Sequence, residues 1–588
     1  MRLAKWSVKN YRSISQLEFD LDEFTALIGR NNSGKSNITE SLRVYSKAVS
    51  KPNRHGDVWQ ESIVRDQNEA NNLEFDAVFS LSLQEQEELA ANLGNDLKSQ
   101  NKDSLLSSGS LSLVRHRVVY SSEQIEREEL WLRINGEWSP YRYRNPDDTR
   151  RIEQINNPSE FELSNVEALY YHTDRQSKTV EQSDYTGYVL TEGLRRSIRE
   201  YTGHVDEIGA IRRAEDDTEI KVRSSLARDA ANLSNVLHTL SQNQKEKYQR
   251  IASEYIEIME GVTDLTTPIQ QSGSITSTTI EVIENKNSYQ LDEISSGSME
   301  ILALLTKLVL AEKETSLLII EEPELHLHPE AEREVLRLIT EISEETTQIL
   351  VTTHSDVFVN STRAGQIVRV VRDGSTTCRA VDSVGQELED LGYDKSGFLQ
   401  ASAVVFVEGK SDERVIKQLS KVMGYDSNKH GIEFVELDGE GNIKSDGRSL
   451  VKLLYSFDIP YLFVSDSHES DPDDVRDELV SHINIREGDW HTTPEHFYIL
   501  SGYGIEDYLI QMPQAIGSVV EARPENVLDM INKVDDAQAV LNQIFNKYLN
   551  AEYNKSEHGM LIAKHANESN IPEELRDLIL HIQSLPQE

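Results

Sequence analysis

Gly29-Arg30-Asn31-Asn32-Ser33-Gly34-Lys35-Ser36, "GRNNSGKS", follows the apolar run Phe24-Thr25-Ala26-Leu27-Ile28 and fits the phosphate-loop pattern G-x4-G-K-[ST]. A short apolar strand, a glycine turn and a helix start form the setting that such a loop needs. Backbone N–H groups of the turn surround the β- and γ-phosphates, the lysine reaches the same oxygens, and the final hydroxyl sits on Mg2+. Gly29, Asn31, Asn32, Ser33, Gly34, Lys35 and Ser36 are therefore the candidate ATP-binding residues, with Ser36 also a candidate Mg2+ ligand. The motif sets the expectation of an α/β fold with parallel strands.

Around this loop, residues 3–8 and 14–19 read as strands, 24–28 as the strand entering the loop and 35–50 as a helix. Further strands are expected at 73–83, 111–120 and 129–134, with a helix over 84–100. From 188 to 259 apolar residues recur at helical spacing, as in Leu190, Leu194 and Ile198 and again in Leu233, Val236, Leu237 and Leu240. Two roles are open to that stretch, core packing or a helical arm that pairs with a second copy. Strand patterning returns at 278–282, then a helix at 299–311, and all-apolar runs at 317–320 and 349–352 read as buried parallel strands. Residues 387–400 read as a linker. A second α/β domain starts near Ala401, with a strand at 404–407 and a helix at 412–422.

The chain has 588 residues and one cysteine, Cys378, which excludes a disulfide framework and a cysteine-based zinc site. No apolar run reaches the roughly 18 residues of a membrane span, and the first residues are too polar for a signal peptide, so a cytoplasmic protein is expected. The net charge of −41 is that of a protein that repels polyanions, or of one whose acidic surface suits strong salt. Any nucleic acid would then need a local basic strip. Arginines gather at 142–151, 195–199 and 212–228, with acids mixed among them.

Two further elements belong to phosphate chemistry. Ser316-Leu317-Leu318-Ile319-Ile320-Glu321-Glu322-Pro323 is an apolar strand ending in two carboxylates, Glu321 suited to the magnesium and Glu322 to polarising the attacking water. Gln348-Ile349-Leu350-Val351-Thr352-Thr353-His354-Ser355 is a strand ending in a histidine, and Leu291-Asp292-Glu293-Ile294-Ser295-Ser296-Gly297-Ser298 is a Ser/Gly turn entering a helix. The order GRNNSGKS, ISSGS, LLIIEEPELHLHP, VTTHS resembles the ABC-type ATPases of the RecF and SMC kind. That resemblance implies an ATPase in which Ser295 and Gly297 meet the γ-phosphate held by another subunit and His354 senses it. It also places His326 and His328 in a dimer-contact loop rather than a metal pair. Glu321 stands where the family has aspartate, and Ser-Ser-Gly-Ser where it has Ser-Gly-Gly-Gln, which suggests slow or ligand-dependent hydrolysis. Asn532-Lys533-Val534-Asp535 matches the guanine-reading N-K-x-D but follows no buried strand and is taken as chance.

In the second domain, Ala403-Val404-Val405-Phe406-Val407-Glu408-Gly409-Lys410-Ser411-Asp412 ends a strand in acid. So does Tyr461-Leu462-Phe463-Val464-Ser465-Asp466-Ser467-His468-Glu469, and Tyr503 to Leu509, with Glu506, is a third candidate. Parallel strands bring such ends together, and clustered oxygens favour Mg2+ or Mn2+. "VVFVEGKSDERV" followed by an acidic strand end resembles the Toprim domain, and an ABC-type ATPase followed by Toprim resembles the OLD (overcoming lysogenization defect) family, which includes Gabija-type anti-phage nucleases. "VELDGEGNI" resembles that family's loop between the first two Toprim strands.

The resemblance implies an ATPase domain at 1–390 with a helical dimerisation insertion at about 185–262, and a Toprim nuclease domain at 401–588. It implies metal binding by Glu408, Asp412, Asp466 and Glu506, and a transition-state lysine at Lys564. Toprim has Asp-x-Asp where this chain has Asp466-Ser467-His468. His468 is thus a candidate ligand that suits Mn2+ better than Mg2+, or Glu469 and Asp471 compensate, or the site is degenerate. The implied activity is an ATP-regulated, metal-dependent endonuclease, cutting DNA in anti-phage defence. The rivals are an RNA- or tRNA-cleaving effector and an ATPase scaffold with a dead Toprim site. The implied cofactors are ATP and Mg2+, with Mn2+ as an alternative at the Toprim site. The implied partners are nucleic acid, a second copy or higher homo-oligomer, and a second defence protein such as a helicase-like one.

Overall fold

The structure is a computed structural model. It describes residues 1–50, 65, 72–87, 111–121, 125–134, 137–144, 194–214, 218–272, 275–291, 293–345, 347–381, 395–437, 440–468, 470–484, 491–534 and 536–585. The chain divides into two units, Met1–Asp382 and Ser383–Glu588.

The first unit carries two six-stranded sheets. One is antiparallel, in the order Ile14–Asp20, Arg2–Tyr11, Leu73–Ser80, Leu111–Tyr120, Ile125–Ile134, Glu137–Arg144. The other runs Ser375–Ala380, Ile367–Asp373, Phe24–Ile28, Gln348–Thr353, Leu317–Glu321, Val205–Ile208, and is parallel except at its Ser375–Ala380 edge. Phe24–Ile28 and Gln348–Thr353 are buried throughout, as central parallel strands covered on both faces must be.

Register then fixes the chemistry. Thr353 lies opposite Ile28, and Glu321 opposite Thr352. The glycine loop, the carboxylate pair and His354 therefore leave the sheet side by side, at the carboxyl ends where α/β sheets bind ligands.

The helix Lys35–Ser50 follows the loop as the spacing predicts. The helix Ser296–Ala311 begins at Ser295, whose side chain accepts the N–H of Ser298 at 3.1 Å, the usual way of satisfying a free helix-start donor. It is apolar on nearly every side because it is buried on nearly every side.

Several boundaries differ from expectation. The strand expected at 73–83 stops at Ser80. Glu85 turns back to accept the N–H and O–H of Ser82 at 2.8 Å each, so the chain leaves the sheet and starts a helical turn. The helix expected over 84–100 is described only to residue 87, and the rest of it lies outside the described residues. The strand expected at 278–282 is two strands, Ile275–Thr278 and Glu281–Glu284, in different three-stranded sheets.

The stretch 185–262 is not one helical arm. Its residues before 194 lie outside the described residues, 194–203 are helical, and Val205–Ile208 is a strand of the parallel sheet. The apolar face of Leu233–Asn243, with Leu233, Val236, Leu237 and Leu240, is buried in this unit's own core against Ile251, Tyr255 and the helix Ser296–Ala311. Core packing is the role those residues have.

The second unit is built on a parallel sheet in the order Ile432–Glu436, Ala403–Val407, Tyr461–Asp466, Phe497–Leu500. Ala403–Val407 is wholly buried. The stretch expected as a linker lies outside the described residues up to 394, and Lys395–Gln400 is a helix with Phe398 and Leu399 buried. The helices from Ile505 to Ser584 pack on the sheet and on the helix Lys410–Val422 through Leu419, Leu509, Ile544, Ile562 and Leu578.

Because Leu237 is fully buried, Leu237→Ala should destabilise the first unit by about 2–5 kcal/mol. Urea unfolding followed by a probe in that unit checks this. A face kept for a second copy would lose far less in the isolated chain.

Candidate functional sites

The phosphate loop is shaped by backbone constraints as much as by side chains. Gly29 and Gly34 adopt φ values of 145° and 109°, which only glycine holds without strain. A Cβ on Gly29 would collide with the carbonyl of Val370, and one on Gly34 with the side chain of Thr376. Asn32 is also left-handed, at φ 67°. The Ser33 carbonyl accepts a hydrogen bond from Thr376 Oγ1 at 3.1 Å, and Asn32 accepts one from Arg372 at 3.2 Å. Ser36 is exposed.

Lys35 is buried, and its Nζ donates to the carbonyl of Gly29 at 2.7 Å and lies 2.8 Å from His354 Nε2. Burial lowers the Lys35 pKa to about 8, against the pull of Glu322 and Glu324. Burial, then the Lys35 charge, lowers His354 to about 4. The imidazole is therefore neutral and accepts the lysine proton. Lysine and histidine, 319 positions apart, converge on one point.

The carboxylates stand on the next strand end. Glu321 accepts from Thr39 Oγ1 at 3.3 Å and from Arg228 Nη2 at 2.9 Å. Glu322 turns the chain at φ 45°. Arg212 sits beneath that turn and donates through Nη2 to the carbonyls of Glu321 at 2.9 Å and Glu322 at 3.2 Å. Glu324 accepts the backbone N–H of His354 at 2.7 Å, and burial raises its pKa.

Thr39, Arg212, Arg228 and Glu324 were not singled out by motif. Only the arginine run at 212–228 carried a signal. The structure places Arg212 and Arg228 against the Glu321–Glu322 turn. Arg195 likewise is ion-paired with Glu128, and residues 145–151 of the first cluster lie outside the described residues.

In the signature turn, Ser295 and Ser296 are exposed, while a Cβ on Gly297 would come within 2.7 Å of the carbonyl of His326. The turn and the "PELHLHP" segment are thus in close contact. His326 Nδ1 lies 3.1 Å from Glu300. Asp292 lies outside the described residues, as does Asp535 of the N-K-x-D match.

The second unit holds a carboxylate group at the ends of its two central strands. Glu408 follows Ala403–Val407, and its Oε1 accepts from Ser465 Oγ and from the N–H of Asp466, the latter at 2.9 Å. Asp412 stands in the first turn of Lys410–Val422 and accepts the N–H of Gly409 at 3.1 Å. Glu506 is buried, but in the first turn of the short helix Ile505–Leu509 rather than at a strand end. The strand before it, Phe497–Leu500, ends earlier.

Partial burial first, then the neighbouring carboxylates Glu408 and Glu506, raises Asp412 to about 7. Burial, then Asp412, Glu408 and Glu506, raises Asp466 to about 8. The four acids thus feel one another. His468 is in the left-handed region at φ 46°, its Nε2 3.6 Å from Glu408 Oε2, and its ring meets Tyr503 edge-on at 5.4 Å. Glu469, Asp438 and Gly439 lie outside the described residues.

Lys564 is not brought to this group. It is exposed at the last position of the helix Lys555–Lys564, about 14 Å along the axis from the first at 1.5 Å per residue. Lys555, at that first position, lies 3.4 Å from Glu506 Oε1. Sequence spacing alone did not distinguish the two ends of one helix.

Among the described residues, no three His, Cys, Asp or Glu side chains already converge to hold a cation. The donor chemistry nevertheless fits a hard divalent ion. Asp412 and Asp466 are pushed up by burial and by the neighbouring carboxylates, and Glu506 Oε1 is buried with no hydrogen-bond partner among the described residues.

Carboxylate pKa values raised in the fold make proton uptake favour the native state. In chelator, stability should therefore fall as pH rises from the unfolded carboxylate range, about 4, toward the value of about 8 at Asp466. Asp466→Asn should raise Tm more at pH 8 than at pH 5.5, by about 2–4 °C for each kcal/mol gained. Differential scanning calorimetry in EDTA checks this. An equal shift at both pH values would contradict the coupling.

Residues 1–359 match the AAA ATPase domain family, and residues 399–467 match the overcoming lysogenization defect protein-like TOPRIM domain. The chain is 23% identical over 477 residues to the Old nuclease of Escherichia phage P2, covering 75% of this chain and 74% of that one. It is 27% identical over 239 residues to the OLD nuclease of Thermus scotoductus, covering 37% of this chain and 44% of that one. Among solved structures it is similar to the SMC head domain from Thermotoga maritima, with 12% identity, a TM-score of 0.33, and coverage of 65% of this chain and 100% of that one. No helix among the described residues is long and apolar enough to cross a membrane. The glycine loop, paired carboxylates and histidine of the first unit and the acidic strand ends of the second thus belong to an ATPase domain and a TOPRIM nuclease domain, and the chain is a member of the OLD-like nuclease family.

Proposed function

We propose that this protein is an ATP-regulated, metal-dependent endonuclease that cuts DNA in anti-phage defence. The observation that carries the reading is the presence of two separate sites for phosphate chemistry on one chain. One is the buried Lys35–His354 pair with Glu321 and Glu322 close by. The other is the carboxylate group of Glu408, Asp412, Asp466 and Glu506.

In the first site Lys35 and the N–H groups of residues 31–36 bind the ATP phosphates, and Ser36 and Glu321 face its Mg2+. Glu322 orients water, and neutral His354 senses the γ-phosphate through the contact it now makes with Lys35. The exposure of Ser295 and Ser296 supports a second copy closing on the nucleotide, so the functional species is a homodimer or larger. In the second site Glu408, Asp412, Asp466 and Glu506, with His468, would hold divalent cations. A divalent cation there supplies water activation and charge neutralisation at a phosphodiester. Lys555, paired with Glu506, would face the anionic substrate, a role the sequence had suggested for Lys564. ATP state governs access to the Toprim site, as in the Gabija-type relatives that the sequence resembles.

Plasmid cleavage with Mg2+ or Mn2+ across an ATP series tests the reading. Cutting should be lost by at least about a hundredfold in Glu408→Ala, as for removal of a group acting directly on the reacting charge, and its response to ATP should vanish in Lys35→Ala. Cleavage of tRNA but not plasmid would move the substrate to RNA. No cutting of either by wild type would leave an ATPase scaffold. In the same assay Lys555→Ala should lower cutting by about tenfold or more while Lys564→Ala stays near wild type. The reverse order would restore Lys564.

A further inference from the structure

Arg212 is 1% exposed, one of the largest wholly buried side chains of the chain and a full charge in its interior. Such a charge is costly unless neighbours compensate it. Burial does lower its pKa, to about 10, and the groups that oppose the shift are Glu300, Glu324, Glu322 and Glu321, in that order. They come from three parts of the candidate nucleotide site. Glu321 and Glu322 are the carboxylate pair. Glu324 holds the backbone N–H of His354 at 2.7 Å. Glu300 lies on the helix entered by the Ser295–Gly297 turn and lies 3.1 Å from His326.

The hydrogen bonds of Arg212 go to the turn itself. Its Nη2 bridges the carbonyls of Glu321 and Glu322, just where Glu322 takes a left-handed backbone at φ 45°. The Glu322 N–H is held from the other side by the carbonyl of Thr352 at 2.9 Å. The turn that aims the Glu322 side chain is therefore held between a neighbouring strand and one guanidinium. Nε and Nη1 of Arg212 have no hydrogen-bond partner among the described residues, so the ties to the carboxylates are electrostatic.

The segment carrying Arg212 is anchored independently. The N–H of Gly209 donates to the carbonyl of Arg228 at 2.9 Å and that of Arg213 to the carbonyl of Asp229 at 2.7 Å. The segment leaves the strand Val205–Ile208, which is paired in register with Leu317–Ile320.

We propose that Arg212 is a positioning residue of the ATPase. It fixes the Glu322 turn for hydrolysis and ties that turn to the signature helix through Glu300 and to the histidine strand through Glu324. Among the described residues its hydrogen bonds go to the Glu321–Glu322 turn and not to the phosphate loop or Lys35, so it acts on the hydrolytic step and not on nucleotide affinity. The inference rests on Glu322 being the residue that orients the attacking water, and its test separates the two.

The full-length protein is assayed for ATP hydrolysis and for equilibrium binding of a fluorescent ATP analogue, with Mg2+ and with EDTA. The variants are Arg212→Gln, Arg212→Lys, Glu322→Gln and the double variant Arg212→Gln/Glu322→Gln. Arg212→Gln should lower kcat by about tenfold or more and leave analogue affinity within about twofold. Arg212→Lys keeps the charge that the four carboxylates need but not the longer, planar guanidinium that carries Nη2 to both carbonyls, so it should fold normally and regain only part of kcat. In the Glu322→Gln background Arg212→Gln should cost nothing further, because two groups that act through one another are not additive.

Full additivity in the double variant overturns the proposal, as does an equal loss of hydrolysis and analogue binding, which marks a role in folding alone. If Arg212→Gln does not fold, wild-type kcat in Arg212→Lys overturns it equally. An unchanged kcat in Glu322→Gln removes the water-orienting role of Glu322 instead, whatever the arginine variants do.

Discussion

Parallel pairing of Phe24–Ile28 with Gln348–Thr353, segments more than three hundred positions apart, is the constraint from which the nucleotide site follows. One register brings three chemically unrelated turns to the same sheet edge: the glycine loop, the Glu321–Glu322 turn and His354. A slip by one residue would invert every side chain of the strand. The strands resist this because both faces are covered by apolar side chains. Catalytic geometry is thus carried by hydrophobic burial one layer away from the chemistry.

Within that frame the two charge clusters are solved in opposite ways. The first unit places cations among its acids. Lys35 shares its proton with a neutral imidazole, Arg228 holds Glu321, and Arg212 stands among four glutamates. The second unit gathers Glu408, Asp412, Asp466 and Glu506, with Lys555 3.4 Å from Glu506 and His468 3.6 Å from Glu408. Two of its carboxylates are consequently held far above the ordinary range, which is the electrostatic condition that a divalent cation relieves. The difference suits the first site to an anion and the second to a cation.

The extra elements of the first unit serve the same frame. The strand Val205–Ile208 extends the parallel sheet beside Leu317–Glu321, and the segment after it delivers Arg212 and Arg228 to the carboxylate turn. The amphipathic helices that follow close the core beneath the signature helix. An apolar stripe at helical spacing records only that a face is covered, and here the cover is the protein's own core.

The chain's local code determined the glycine loop, the strands around it, the carboxylate pair, the strand-end His354 and the acids Glu408, Asp412 and Asp466. Each depends on neighbours within about eight residues: a strand needs its apolar run, and a phosphate loop needs glycine where φ is positive. Tertiary structure decided what depends on distant partners. Arg212 and Arg228 look like surface cations in the sequence, and only the sheet register brings them to Glu321 and Glu322. Glu506 was legible as an acid but not as a helix residue, because the preceding strand ends at Leu500, before the short helix Ile505–Leu509 begins. Lys555 and Lys564 are equivalent by composition and nine residues apart, and the rotation and rise of one packed helix give the carboxylates to the first and solvent to the second.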